Sequence, residues 1–354
     1  MTPRRPSALL SALALLAAGT LFGAGAADAG AFLFAGEGNG VDVIAHPSNY
    51  TGAGGEVEVT LCVDPASPFA ADMEIPVQNI AATINSLEFA SPNLISGAAN
   101  NIPPGQFDFE SVALHEVGHC IGLAHPNLGS TSGVTNTNST NTTDGANDGL
   151  DENNGADNIF GSADDIRGDD VNLLWFREVD NNPFLLGATV DASTYSRDLA
   201  DLPPGDLFAA NADRTVGAQS FGVANSEAVM QQGSGSDEDQ RQWGADDVAT
   251  LRLGMSGVDE VQGTADDYTI RAVYAGLTTS CDVVLRFDNA ATGFARCSVG
   301  GTFVGPGHIS ITTGTASFNS NPNWFFNPVL VQEGLIFQDG FESGDVSAWD
   351  ALID

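Results

Sequence analysis

The amino-acid sequence predicts an α+β fold, in which a twisted sheet is backed by two helices and followed by a small all-β domain. Segments 41–45 and 56–63 alternate apolar and polar residues, as half-buried strands do. Apolar residues recur at helical spacing over 75–88 and again after Asp108. Beyond Gly263 the chain consists of short β-rich runs separated by turn residues, which predicts the second domain.

Each predicted helix has a start signal. Pro76 stands where the first helix could begin, because proline is tolerated in the first turn. Asp108 can cap the second helix, and Glu110 is favourable in its first turn, near the positive end of the helix dipole. A third helix is expected over 246–253, with an acidic start. The apolar face of the second helix consists of Val112, Leu114, Val117, Cys120 and Ile121.

The C-terminal domain is predicted over residues 263–335. The runs at 281–287 and 293–298 are joined by a turn-prone pentapeptide and look like a hairpin. The remaining strands are expected at 268–274, 308–312 and 325–332. Within the tail, 336–354, the segment 337–349 resembles a tag found on exported proteins of Gram-negative bacteria, which implies a bacterial origin. A loosely docked tail is the alternative.

Residues 1–29 have the features of a secretory signal peptide. Arg4 and Arg5 form a basic start, 8–22 form an apolar stretch, and 27–29 supply an A-x-A cleavage site. The apolar stretch is shorter than the ~20 residues needed to span a bilayer. We therefore expect a secreted, extracellular protein whose mature chain has no membrane span.

The charge balance is strongly acidic. The chain contains 46 acidic residues against 11 basic ones, with a formal net charge of −35. Phosphate backbones repel such a surface, which excludes nucleic acid as a partner. The surface also repels itself, so bound cations or high external salt must compensate for it.

The segment from His115 to His125 carries the chemistry. It reads HEVGHCIGLAH and fits H-E-x-x-H-x-x-G-x-x-H at every fixed position. His115 and His119 are four residues apart, so a helix presents both imidazoles to one metal ion. Gly122 can adopt a positive φ and end the helix, which allows His125 to return to the metal as a third ligand.

Three neutral imidazoles leave the fourth tetrahedral position of a zinc ion for water, as in catalytic sites. Zinc lowers the pKa of bound water from 15.7 toward ~7. Glu116 is displaced around the helix from His115, so it can reach that water instead of the metal. The sequence therefore predicts Zn²⁺ as the cofactor and Glu116 as the general base of a hydrolase.

This run resembles the signature of metzincin zinc peptidases, and its surroundings are similar to matrixins. The resemblance implies a secreted zinc endopeptidase acting on extracellular protein or peptide, with a catalytic domain over 30–262 and a Met-turn beneath the metal. Met230, followed by the predicted third helix, fits that turn best. The interval from His125 to Met230 is longer than the family usually allows, which implies an insertion over about 127–225. The stretch 89–106 is correspondingly brief where matrixins carry several strands.

The insertion is rich in acidic residues, amides and glycines. Carboxylates and amides at alternate positions suit calcium coordination, although no complete EF-hand loop is present. A merely solvated acidic face remains the alternative. The candidate calcium ligands are Asp148, Asp151, Asn153, Asp157, Asp164 and Asp165.

Four cysteines in an exported chain permit disulfides, and three pairings are possible. Cys281 and Cys297 flank the predicted hairpin and can face each other across it. That pairing leaves Cys62 for Cys120. We therefore expect the disulfides Cys62–Cys120 and Cys281–Cys297.

Two other functions remain open. One is a non-catalytic surface or adhesion protein that has kept the metal site, although an intact Glu116 argues against it. The other is a zinc amidase acting on a non-peptide amide, against which the long cleft expected from the metzincin resemblance argues more weakly.

Overall fold

A computed structural model describes the chain in twelve segments. They are 29–34, 43–87, 94–95, 100–124, 152–153, 166–167, 174–176, 189–196, 226–227, 229–230, 235–291 and 293–331. Residues 1–28 of the predicted signal peptide, most of the insertion and the tail lie outside these segments. Within them, no helix is long and apolar enough to cross a membrane.

The described elements follow one another in chain order. The helices are α1 (Ala70–Ser86), α2 (Phe109–Cys120) and α3 (Ala245–Met255). The strands up to α2 are β1 (Ala29–Gly30), β2 (Ile44–His46), β3 (Gly55–Val63), β4 (Leu94–Ile95) and β5 (Phe107–Asp108). Between α2 and α3 lie β6 (Glu152–Asn153), β7 (Ile166–Arg167), β8 (Leu174–Phe176), β9 (Tyr195–Ser196) and β10 (Ser226–Glu227). After α3 come β11 (Tyr268–Leu277), β12 (Val283–Phe287), β13 (Ala295–Gly305), β14 (His308–Phe318) and β15 (Trp324–Phe325).

The fold is mixed α/β and is built on one six-stranded, mostly parallel sheet. Its strand order is β11-β3-β12-β14-β13, and β2 pairs with β14. All of these pairs are parallel except β13 with β14, which is antiparallel. Leu61, Cys62 and Val63 at the end of β3 are fully buried, as expected for a central strand of such a sheet.

The prediction of a separate all-β domain over 263–335 is wrong. β11 and β12 lie on either side of β3, so strands from both ends of the chain form a single sheet. The physical reason is burial, because β3 needs a neighbour on each side to pair its backbone groups. The brief stretch 89–106 supplies only β4 among its described residues, and the C-terminal segment supplies the neighbours instead.

The predicted hairpin is also wrong, and so are both predicted disulfides. β14 lies between β12 and β13, pairing in parallel with the first and antiparallel with the second. Cys281 and Cys297 are therefore kept apart by an intervening strand. The disulfides observed are Cys62–Cys281 and Cys120–Cys297.

The two helices predicted to back the sheet are present as α1 and α2. α1 packs against β3 and β11, whereas α2 packs against β12, β13 and β14. α1 begins at Ala70, so Pro76 lies inside the helix and does not start it. β15 pairs in parallel with β5 immediately before α2, which brings the C-terminal segment to the start of the second helix.

Candidate active site

The start of α2 is fixed by a side-chain cap, as the sequence predicts. The Asp108 carboxylate accepts hydrogen bonds from the backbone N–H and the hydroxyl of Ser111, at 2.9 and 2.6 Å. Arg241 donates to both carboxylate oxygens, at 2.8 and 2.7 Å. The segment that leads into α3 is thereby attached to the first turn of the zinc-motif helix.

His115 and His119 lie side by side on α2 with their ring centroids 4.7 Å apart. Nδ1 of His115 lies 2.7 Å from the carbonyl oxygen of Val229, and Nδ1 of His119 lies 2.8 Å from that of Leu123. A carbonyl can only accept, so Nδ1 must be the protonated nitrogen in both rings. The lone pair of each neutral imidazole is therefore on Nε2, the nitrogen that can coordinate a metal.

The electrostatics of both rings favour the neutral form that a metal requires. Burial lowers the pKa of His115, although its bond to Val229 acts in the opposite direction. Burial, and secondarily the neighbouring His115, lower the pKa of His119 to about 3. Neutral imidazoles can coordinate a metal without first losing a proton.

Gly122 ends the helix with a φ of +121°, which confirms the predicted positive φ. A Cβ at this position would lie 2.8 Å from the carbonyl oxygen of Ala45, so glycine is required sterically as well. The next residues are held by an antiparallel segment: Leu33 N–H donates to the Gly122 carbonyl, and Ala124 N–H donates to the Ala31 carbonyl, both at 2.8 Å. His125, the predicted third ligand, lies outside the described residues.

Glu116 lies between α2 and the sheet, with only 6% of its surface exposed. Its Oε2 atom is buried and has no hydrogen-bond partner among the described residues. Burial raises the pKa of this carboxyl to about 8, although the backbone of Cys297 in β13 acts in the opposite direction.

Met230, the residue that the resemblance assigns to the Met-turn, packs beneath α2. Its Sδ atom occupies the space that a side chain at Gly118 would take. Trp243, fully buried, packs against the same glycine. The preceding residue, Val229, supplies the carbonyl that orients His115, so this turn contacts both the helix and the His115 ring.

Asp247 in the first turn of α3 holds this turn in place, and the sequence reasoning gave it no such role. Its carboxylate accepts from the backbone N–H groups of Val229 and Gly244 at 2.8 Å, and from that of Met230 at 3.1 Å. Burial raises its pKa to about 6, although these bonds lower it. The only sequence signal was an acidic helix start, which by itself indicates an N-terminal cap.

The donor set fits a zinc site as far as it is described. Two imidazole rings are oriented by backbone carbonyls, and a buried carboxylate oxygen of Glu116, the residue after His115, has no partner among the described residues. The described segments contain no group of three His, Cys, Asp or Glu side chains that could hold a metal, and His125 lies outside them.

The predicted calcium ligands are almost all outside the described segments. Asn153 is described only as part of β6. The other five are Asp148, Asp151, Asp157, Asp164 and Asp165. The calcium hypothesis therefore stays a prediction.

The two remaining histidines form a buried pair that the sequence gave no reason to connect. Nε2 of His46 lies 2.9 Å from Nδ1 of His308, and its Nδ1 lies 3.1 Å from the hydroxyl of Tyr268. Burial, followed by the proximity of His308, lowers the pKa of His46 to about 3. The parallel pairing of β2 with β14 brings the two rings together.

Comparison with known proteins identified no relative of this chain. The chain matches no family model, no curated protein and no solved structure.

Proposed function

We propose that the chain is a secreted zinc-dependent endopeptidase that hydrolyses internal peptide bonds of extracellular proteins. The observation that carries this proposal is the buried Oε2 atom of Glu116, which has no partner among the described residues. It belongs to the residue between two histidines whose Nε2 atoms are oriented for a metal. A buried carboxylate oxygen without a partner is costly for stability, so a role in binding or proton transfer accounts for its retention.

The roles of the residues follow from this arrangement. His115, His119 and His125 would hold zinc, which when bound supplies Lewis-acid chemistry by polarising a carbonyl and acidifying water. Glu116 takes a proton from the attacking water and returns it to the leaving amine.

The edge strand β13 supports a peptide as the substrate. Among the described residues it pairs only with β14, and none of them pairs with its other side. The disulfide from Cys297 to Cys120 at the end of α2 places this strand beside the helix that carries Glu116. An extended peptide can add to such an edge through main-chain hydrogen bonds. This mode favours a polypeptide over a small non-peptide amide.

Export is supported by two disulfides, which persist in oxidising compartments. The predicted signal peptide supports the same localisation. The acidic composition is compatible with a saline medium, where salt screens the repulsion between carboxylates.

Cleavage of unfolded casein by the purified mature protein, with and without a zinc chelator, tests the proposal. We expect cleavage that stops with chelator and returns with zinc. In Glu116→Gln, the rate should fall by ~10²–10⁴-fold while the zinc content stays unchanged. Glu56→Gln, at an exposed position of β3, is the control for loss of one carboxylate.

The outcomes separate the rival functions. Cleavage by Glu116→Gln near the wild-type rate would contradict the proposed role of that residue. A protein that binds zinc but cleaves no polypeptide would favour the adhesion protein. Hydrolysis of small amides alone would favour the amidase.

A further inference from the structure

Residues 295–299 of the edge strand β13 place alternate side chains on the two faces of the sheet. Cys297 faces α2, because its sulfur is bonded to that of Cys120 at the end of this helix. Side chains alternate along a strand, so Arg296 and Ser298 point to the opposite face. Both are exposed, whereas Cys297 is partly buried. The strand therefore carries a cation on the face turned away from α2, next to the residue that is bridged to the helix.

The register of the sheet shows what surrounds Arg296 on this outer face. Arg296 lies opposite Ser317 of β14, and Ser317 lies opposite Arg286 of β12. Arg286 forms an ion pair with Asp288 at 2.6 Å, and the Ser317 hydroxyl donates to the same carboxylate at 3.2 Å. The one carboxylate of this group is therefore already used by the two inner strands, and Arg296 occupies the outer end of the row.

Arg296 differs from the two other arginines in the strands of the main sheet. Arg286 has Asp288 as its partner, and Arg271 in the opposite edge strand, β11, pairs with Glu56. The guanidinium of Arg296 has no hydrogen-bond or ion-pair partner among the described residues. The chain has 46 acidic residues, yet it leaves this exposed cation without a carboxylate there. The guanidinium is accordingly available to a ligand.

A peptide that adds to β13 comes within reach of this guanidinium. None of the described residues pairs with the outer side of the strand. Directly opposite residues of neighbouring strands share a face, with Cβ atoms about 4.5–5.5 Å apart. A carboxylate opposite Arg296 can therefore accept two parallel hydrogen bonds from the guanidinium. The bridge from Cys297 to α2 keeps this part of the edge beside the zinc-motif helix.

We propose that Arg296 is a specificity-determining residue, which selects an aspartate or glutamate in the stretch of substrate that pairs with 295–299. The inference rests on the proposed function and on addition of the substrate to β13. Selection depends on the face of the sheet, because an acidic residue one position earlier or later points toward α2 and away from the guanidinium. An exposed ion pair of this kind changes affinity by about two- to fivefold, so the effect is on KM and leaves kcat unchanged.

The test uses synthetic peptides that are uncharged apart from a single glutamate, which is moved one position at a time, each with a matched glutamine peptide. For the wild type, we expect KM to be about two- to fivefold lower with glutamate than with glutamine at one position, and equal at the positions on either side. In Arg296→Gln this difference should disappear, with kcat unchanged. In Arg296→Glu the preference should pass to a lysine at the same position.

Arg271→Gln is the matched control, because it removes the same charge from an exposed residue of the other edge strand. It should keep the glutamate preference of the wild type. An equal loss of preference in Arg271→Gln would assign the effect to net charge and overturn the role of Arg296. A wild type with no glutamate preference at any position, or a preference that persists in Arg296→Gln, would overturn it as well.

Failure of the proposed function is distinguishable from failure of this inference. A wild-type protein that cleaves none of the peptides contradicts the proposed peptidase, and binding of the same peptides with a fluorescent label then tests Arg296 by itself. Fluorescence anisotropy should show tighter binding of one glutamate peptide than of its glutamine partner in the wild type, and equal binding of the two in Arg296→Gln. Equal binding of each pair by the wild type would overturn the selection.

Discussion

Glu110 should make the protein less stable as the pH rises from acid to neutral. This residue is 2% exposed in the first turn of α2, and its Oε2 accepts from Nδ2 of Asn79 at 2.9 Å and from Nδ2 of Asn327 at 2.8 Å. Burial raises its pKa from 4.5 to about 7, even though both bonds lower it. The folded state therefore binds the proton more tightly than the unfolded state does.

The sign and size follow from linkage. A raised folded-state pKa stabilises the protein below the unfolded value of 4.5, and this contribution is lost as the pH rises to about 7. At 1.36 kcal/mol for each pKa unit, the loss amounts to about 3 kcal/mol. Glu110→Gln keeps an oxygen that both asparagines can reach and has no charge, so it should remove this loss.

The assay is urea unfolding of wild type and Glu110→Gln at several pH values between 4 and 8, with both disulfides intact. We expect the two free energies of unfolding to diverge with rising pH, the variant becoming more stable by about 3 kcal/mol at pH 8. Asp72→Asn, at an exposed position of α1, controls for the change in net charge. If the free energies of unfolding of wild type and Glu110→Gln instead change with pH in parallel, the pKa of Glu110 is not raised in the folded protein, and the reasoning is refuted.

Two further variants test residues that hold the proposed metal ligands in place. Asp247→Ala removes the acceptor for three backbone N–H groups around Met230, and zinc affinity should fall by about 10–100-fold, as measured by competition with a chromogenic chelator. Unchanged affinity would show that Asp247 serves stability alone. Gly122→Ala places a Cβ against the Ala45 carbonyl at positive φ and should cost at least about 2 kcal/mol of stability, with loss of zinc. Gly105→Ala, at positive φ but with open space around it, should cost only about 1 kcal/mol and leave zinc in place, so equal costs would remove the steric argument.

The local parts of the site could be predicted from the sequence because their causes lie within a turn or two of chain. The Asp108 cap, the helical spacing of the two histidines and the positive φ of Gly122 each depend on neighbours a few residues away. Such interactions are encoded in short motifs, so they can be recognised without knowing the rest of the fold.

The pairing of distant segments could not be predicted in this way. Val283 and Tyr268 begin strands that pair with β3, but their alternation of apolar residues indicates only that they are strands. A hairpin between neighbouring strands was the simplest assumption, and the insertion of β14 between them invalidated it. The cysteine pairing followed the same error, since Cys297 reaches Cys120 only because β13 lies at the edge beside α2.

The order of strands along the chain has a consequence for when the candidate site can form. A ribosome or export channel releases the zinc motif long before β11, and until then β3 has neither of its sheet neighbours. The edge strand β13 comes later still, and Cys297 must arrive before the bridge to Cys120 can close. A partly released chain therefore contains every residue of the motif but not the sheet against which α2 packs. Synthesis of the chain would itself delay assembly of the candidate site until residues near 318 have emerged.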